Sequence, residues 1–206
     1  MTFPDRRYPD AGAFAAAYFE SLARAAASVD RARIQAAAAI LEAAHRDGAS
    51  IFACGNGGSA AIANHLACDH CKGVATDTKL RPRVHSLSAN VEIITAIAND
   101  ISYADVFAYQ IRNLGRPGDV LVAVSASGDS ENIIRAIDVA KSGGMQVIAL
   151  TGFKGGQAAK VADVDLHVDA DNYGVAEDIH QSLMHILAQW LRLAHMDPEL
   201  IPKRRF

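Results

Sequence analysis

Twice in this chain a short apolar run ends in a loop of glycine and serine and passes at once into a segment with helical spacing. The two stretches are "SIFACGNGGSAAIANHLACDH" (50–70) and "DVLVAVSASGDSENIIRAIDVAKSGG" (119–144). A brief apolar run bounded by turn residues and followed by a helix is the repeating unit of a parallel sheet buried on both faces. The crossovers of such a sheet are right-handed, and both loops then fall at the carboxyl ends of the strands, where open α/β sheets bind ligands.

The remaining segments fit the same plan. Residues from about 10 to 47 are alanine-rich, with apolar positions three and four apart, which predicts two helices meeting near Ser28–Asp30. "PRVHSLS" (82–88), "MQVIALTG" (145–152) and "VDLHVD" (164–169) read as strands. "VEIITAIAND" (91–100), "YADVFAYQIRNLG" (103–115) and "GGQAAKVA" (155–162) read as helices. The long closing helix is "VAEDIHQSLMHILAQWLRLAH" (175–195), followed by a short tail. The expectation is one domain over 1–206: N-terminal helices at about 10–47, an α/β core at about 50–170 and a C-terminal helix at about 175–195. No repeat or linker interrupts it.

Composition narrows the function classes. With 206 residues the chain can bury a full core, and 50% hydrophobic against 21% charged residues is the balance of a globular domain. A net charge of −3 gives no electrostatic grip on nucleic acid or an anionic membrane. No segment reads as a signal peptide or a membrane span, and the three cysteines, Cys54, Cys68 and Cys71, suit reduced thiols, so a cytoplasmic location is expected. Cys68 and Cys71 form a C-x-x-C without the second pair that a structural zinc site needs.

The two loops suggest one task. A helix N-terminus presents unpaired N–H groups and the positive end of the macrodipole to an anion. Glycine lets the backbone approach a ligand, and serine hydroxyls add donors, so a loop without Lys or Arg can still hold a phosphate. The candidates are Asn56, Gly57, Gly58 and Ser59 in the first loop and Ser125, Ser127 and Ser130 in the second. The plainer reading makes Ser59 and Ser130 ordinary N-caps. "GNGGSA" ends in alanine where the dinucleotide fingerprint prefers glycine, and no G-K-[ST] of a P-loop is present.

A second constellation lies on two helices. His65 and Asp69 are four apart and share a face, and Glu177, Gln181 and His185 recur every four residues along the last helix. If the faces converge, His65, Asp69, Glu177 and His185 make a group of two histidines and two carboxylates, suited either to zinc or to acid–base work. Asp100, at the end of "AIAND", is a further substrate-binding candidate or a turn residue, and Glu177 is a candidate for the substrate site as well as for the metal group.

Taken together, "CGNGGSAA", "AIAND", "GDVLVAVSASGDSENI", "VIALTG" and the closing "MHIL" resemble the SIS (sugar isomerase) domain, and most closely the phosphoheptose isomerases. The likeness runs from about residue 10 to 195. It implies a three-layer αβα sandwich on a mainly parallel five-stranded sheet, assembled as a homotetramer with sites between subunits. It implies interconversion of sedoheptulose 7-phosphate and D-glycero-D-manno-heptose 7-phosphate for bacterial heptose and cell-surface glycan biosynthesis. It assigns the phosphate to Ser59, Ser125, Ser127 and Ser130, the sugar to Asn56, the acid–base work to Asp69 and His185, and a zinc ion to His65, Asp69, Glu177 and His185. Asp69 replaces the family's glutamate, Glu177 its glutamine, and "HCKG" its leucine-rich continuation. Two other readings compete: a non-catalytic SIS regulator, like a relative that binds the replication initiator, and an isomerase or sensor of another sugar phosphate.

Overall fold

The computed structural model describes residues 2–206. The two expected N-terminal helices are α1 (Ala11–Ser28) and α2 (Arg31–Asp47). Each starts on an aspartate cap: Asp10 accepts from the Ala13 amide and Asp30 from the Ala32 amide, both at 2.8 Å. Gly48, at φ 68°, closes α2 in the left-handed conformation. Then follow β1 (Ile51–Gly55), α3 (Gly58–Cys68), β2 (Val84–Ser86), α4 (Val91–Asp100), α5 (Ala108–Leu114), β3 (Val120–Ser125), α6 (Glu131–Ser142), β4 (Gln146–Thr151), α7 (Gly156–Val161), β5 (Val164–His167) and α8 (Tyr173–His195).

The five strands are all parallel, in the order β2-β1-β3-β4-β5, with Ala53 paired to Val122 and Val122 to Ile148. Because side chains alternate along a strand, one sequence supplies two cores. Ile51, Ala53, Val120, Val122, Ile148 and Leu150 face α1, α2, α3 and α8. Phe52, Cys54, Leu121, Ala123, Val147 and Ala149 face α5, α6 and α7. This is the expected three-layer sandwich. Part of the alanine content of α1 and α2 is explained here, since Ala25, Ala37, Ala38 and Ala44 are buried where bulkier side chains would hold the helices off the sheet.

Two local features differ from the sequence reading. The helix expected over 59–70 begins one residue earlier and changes pitch at its end, where Asp69–Val74 is a π-helical segment. The single helix expected over 103–115 is a 3₁₀ turn at Tyr103–Asp105 followed by α5. Among the described residues no helix is long and apolar enough to cross a membrane.

Three buried histidines tie stability to pH. Burial lowers the pKa of His45 to about 4, of His70 to about 3 and of His180 to about 4. His180 Nε2 donates to the Thr151 carbonyl at 3.0 Å, which offsets only part of its desolvation. All three are neutral when folded and take up protons more readily unfolded. Their contribution is therefore complete above the ordinary value of 6.5 and is lost as pH falls toward 4 and then 3. Each pH unit of that interval is worth ~1.4 kcal/mol per histidine. Urea unfolding is expected to show a midpoint that holds from pH 8 to 7 and drops steeply between 6 and 4. A flat midpoint across that range would contradict the burial of these rings.

Candidate active site

β1 and β3 are neighbours in the sheet, yet the chain leaves β1 for β2 on one side and β3 for β4 on the other. Their carboxyl ends thus form the topological switch point, the crevice that such sheets offer to a ligand. A cavity of about 310 Å³ opens there, lined by Asn56, Gly57, Gly58, Ser59, Ser125, Ser127, Ser130, Tyr173 and Glu177. A cavity of similar size among Ser50, Arg83, His85 and Arg116 lies at the opposite ends of the strands.

The hydroxyls are held differently. Ser59 lies in the first turn of α3, with Gly57 rather than Ser59 at the cap position. Ser130 does occupy the cap position of α6, but its side chain makes no capping bond, which leaves the hydroxyl available. Ser125 Oγ accepts from the Gly128 amide at 3.2 Å, and Ser127 Oγ from the Asp129 amide at 3.4 Å. Gly128 itself, at φ +70°, makes the turn between them and packs against the Gly155 carbonyl so tightly that a Cβ would overlap that oxygen.

Asn56 is fixed by a reciprocal amide pair. Its Nδ2 donates to Asn132 Oδ1 and Asn132 Nδ2 donates to Asn56 Oδ1, each at 2.9 Å, while the Tyr103 hydroxyl also donates to Asn56 Oδ1 at 2.9 Å. Asn132 and Tyr103 were not singled out in the sequence, although a buried asparagine in the first turn after a serine loop is the kind of signal that could have marked Asn132. Asp100 lies elsewhere: it is exposed at the end of α4, accepts from Asn99 Nδ2 at 2.7 Å and is not among the residues lining the cavity.

Glu177 reaches the cavity from the first turns of α8, its carboxylate against Gly58 at the start of α3. Burial, and then the neighbouring Asp178, raises its pKa above the ordinary carboxylate value. Asp178 in turn accepts from the Tyr18 hydroxyl at 2.6 Å, and burial together with that bond pushes Tyr18 up to about 12.

The histidine–acid group forms one layer further along α3 and α8. His65 Nε2 is 3.2 Å from Asp69 Oδ1, and His185 Nε2 is 3.6 Å from Asp69 Oδ2. The two imidazoles meet edge to face at 5.0 Å. The Gln181 amide nitrogen donates to His65 Nδ1 at 3.1 Å and to His185 Nε2 at 3.2 Å, so the proton of a neutral His65 sits on Nε2, toward Asp69. Glu177, expected in this group, is not part of it. It precedes His185 by two turns of α8, a rise of about 12 Å at 1.5 Å per residue. Gln181, one turn away, occupies the place between the histidines instead.

Two imidazoles and a carboxylate offering ligand atoms all within 4.8 Å of one another fit a zinc ion in donor type. Cys68 and Cys71 are exposed free thiols outside that group.

Comparison with known proteins agrees with this geometry. The SIS domain model matches residues 14–152. The phosphoheptose isomerase of Alteromonas mediterranea is 40% identical over 158 residues, covering 75% of this chain and 79% of that one. The Mycobacterium tuberculosis (strain ATCC 25177 / H37Ra) phosphoheptose isomerase is 39% identical over 174 residues, covering 82% and 87%. Among solved structures, phosphoheptose isomerase GmhA from Neisseria gonorrhoeae superposes with a TM-score of 0.79 at 36% identity, covering 86% of this chain and 96% of that one. A phosphoheptose isomerase from Francisella tularensis gives 0.81 at 30% identity, covering 89% and 99%. The chain belongs to the SIS-domain family and, within it, to the phosphoheptose isomerases.

Proposed function

We infer that the chain interconverts sedoheptulose 7-phosphate and D-glycero-D-manno-heptose 7-phosphate, an aldose–ketose isomerisation that serves heptose biosynthesis. The observation that carries this reading is the meeting of Asp69, His65 and His185 on α3 and α8, whose first turns also line the hydroxyl-rich cavity. A module that only bound sugar phosphate would need the cavity but not this group.

In this reading Ser59, Ser125, Ser127 and Ser130, with the N–H groups at Gly57 and Gly58, take the phosphate, and Asn56 takes a sugar hydroxyl. Phosphate binding then holds the far end of the sugar at the acid–base group. Asp69 removes the proton from C1 of the ketose, leaving an enediol, and returns a proton to C2. His185 moves the second proton from O1 to O2, so that the aldose forms with no net gain or loss of atoms. His65, Asp69 and His185, with the Gln181 amide oxygen once that amide is turned over, would hold a zinc ion that supplies Lewis-acid polarisation of the carbonyl. A single SIS domain spanning the chain, a homotetramer and a cytoplasmic setting belong to the same proposal and are supported by the family resemblance.

Glu177 sets a measurable condition on the phosphate. A carboxylate beside Gly58 shares the anion's preferred place and repels it by ~1 kcal/mol at contact distances in water-like surroundings. Glu177→Gln is expected to bind inorganic phosphate about fivefold more tightly at pH 7.5, by titration calorimetry. The gap should narrow as pH is lowered through the raised Glu177 range, because protonated Glu177 and glutamine carry the same charge. Equal or weaker binding by the variant at pH 7.5 would place the phosphate away from Glu177.

The function itself is tested by proton NMR of sedoheptulose 7-phosphate with the protein in D₂O, with and without added zinc. An aldose carrying deuterium at C2 is expected. Absence of turnover and of exchange in both conditions would overturn the heptose reading.

A further inference from the structure

Asp69 opens the π-helical segment, and the next residue, His70, points the opposite way into the core with no exposed surface. There its Nδ1 meets His45 Nε2 of α2 at 3.1 Å, with the two rings 5.2 Å apart. The remaining nitrogens, His45 Nδ1 and His70 Nε2, have no partner. In a neutral pair one of these orphans is an N–H and the other a lone pair, whichever tautomer is present. Leaving such groups buried and unpaired is costly, so an apolar pair of the same size would suit the core better. What the polar pair supplies is direction. A hydrogen bond fixes the orientation of the His70 ring, and with it the first π turn, in a way that apolar contact does not.

The far end of that segment is tied down separately, by Thr76 Oγ1 donating to the Lys72 carbonyl at 2.6 Å and Arg192 Nε donating to the Thr76 carbonyl at 3.2 Å. The near end carries Asp69 and has the histidine pair. Asp69 is a short side chain, so its reach toward His65 and His185 is set mostly by where the backbone puts its Cα. A misplacement of about 1 Å at a catalytic group can cost ~100-fold in rate. π turns are uncommon and concentrate at functional sites.

We propose that His45, acting through His70, is a positioning residue that aims the Asp69 carboxylate at the His65–His185 group. The proposal rests on the reading of Asp69 as the proton-transferring acid. His45 touches no substrate; its effect reaches the reaction only through the π turn.

The test is a set of three variants assayed with sedoheptulose 7-phosphate: His45→Phe, which keeps the ring and removes both nitrogens; His45→Gln, whose amide can still donate to His70 Nδ1; and Asp69→Asn. For His45→Phe, kcat is expected to fall 10- to 100-fold with KM within about twofold and with an unchanged or higher melting temperature. His45→Gln is expected to recover most of the lost kcat. A crystal structure of His45→Phe should show Asp69 withdrawn from His65. Should His45→Phe fail to fold, His45→Leu takes its place in the same comparison. Wild-type kcat in the apolar variant, or equal losses in the apolar and Gln variants, would overturn the positioning role while an inactive Asp69→Asn leaves the acid–base reading standing. An active Asp69→Asn would remove the acid–base reading and this inference together.

Discussion

Asp69→Asn is expected to lower kcat by ~10²–10⁴-fold, the usual contribution of a positioned proton-transfer group, with little change in KM. Asparagine preserves the size of the side chain and can still hydrogen-bond His65, now 3.2 Å from Asp69 Oδ1, so the fold and the phosphate cavity have no reason to change. What disappears is the basicity required to take a proton from carbon. Among the described residues no other carboxylate groups with both histidines, and Glu177 lies two turns away along α8. Deuterium exchange at C1 of the ketose should be lost in parallel with turnover, because both need the same proton removal. A variant that exchanges at the wild-type rate while failing to form aldose would move the base elsewhere and leave Asp69 with the second proton.

Gly128→Ala is expected to raise KM for the sugar phosphate by at least tenfold and to lower the melting temperature by several degrees. Two costs add here. At φ +70° an L side chain is strained by ~1 kcal/mol, and the new methyl would overlap the Gly155 carbonyl, a backbone atom that cannot swing aside. Relief requires the turn to open. The turn also carries the Gly128 amide that bonds Ser125, and its displacement would spread Ser125, Ser127 and Ser130 apart. Gly118→Ala is the control: it has φ +89° but nothing within 4 Å of the new methyl, so it bears strain alone. It should cost a degree or more of melting temperature and leave KM unchanged. Equal effects on KM in the two variants would show that the close approach to Gly155 is not what shapes the loop.

The middle of the sheet was legible because β1 and β3 are short apolar runs with turn residues at both ends, and both are buried on both faces for the reason that pattern implies, while the edge strands β2 and β5 are only partly buried. That both loops sit at the carboxyl ends of their strands followed from the sequence, but the strand order that makes β1 and β3 neighbours did not. The acid–base group was half legible. Spacing of four correctly paired His65 with Asp69, but it could not say how far along α8 the crossing with α3 falls, and so Glu177 was taken where Gln181 stands. Ser59 was read as a phosphate ligand against the plainer alternative of an N-cap, and glycines rather than the serine start the helix. The π segment was not legible at all. A change of pitch over six residues leaves no periodicity to read, and "DHCKGV" has none. His45 went unmarked because its partner is set by packing between α2 and that segment, a contact no local pattern encodes.

α8 runs past both halves of the site, with Glu177 at the hydroxyl-lined cavity and His185 in the histidine–aspartate group on the same continuous helix. Such a rod does not stretch. The spacing between the anchored end of a substrate and the carbons where protons move is therefore built into one element as a fixed interval, like the jaws of a caliper locked at a single setting. A sugar phosphate with too few carbons would satisfy one jaw or the other but not both. On the proposed placement of phosphate and carbonyl, discrimination among sugars would begin with the length of the carbon chain.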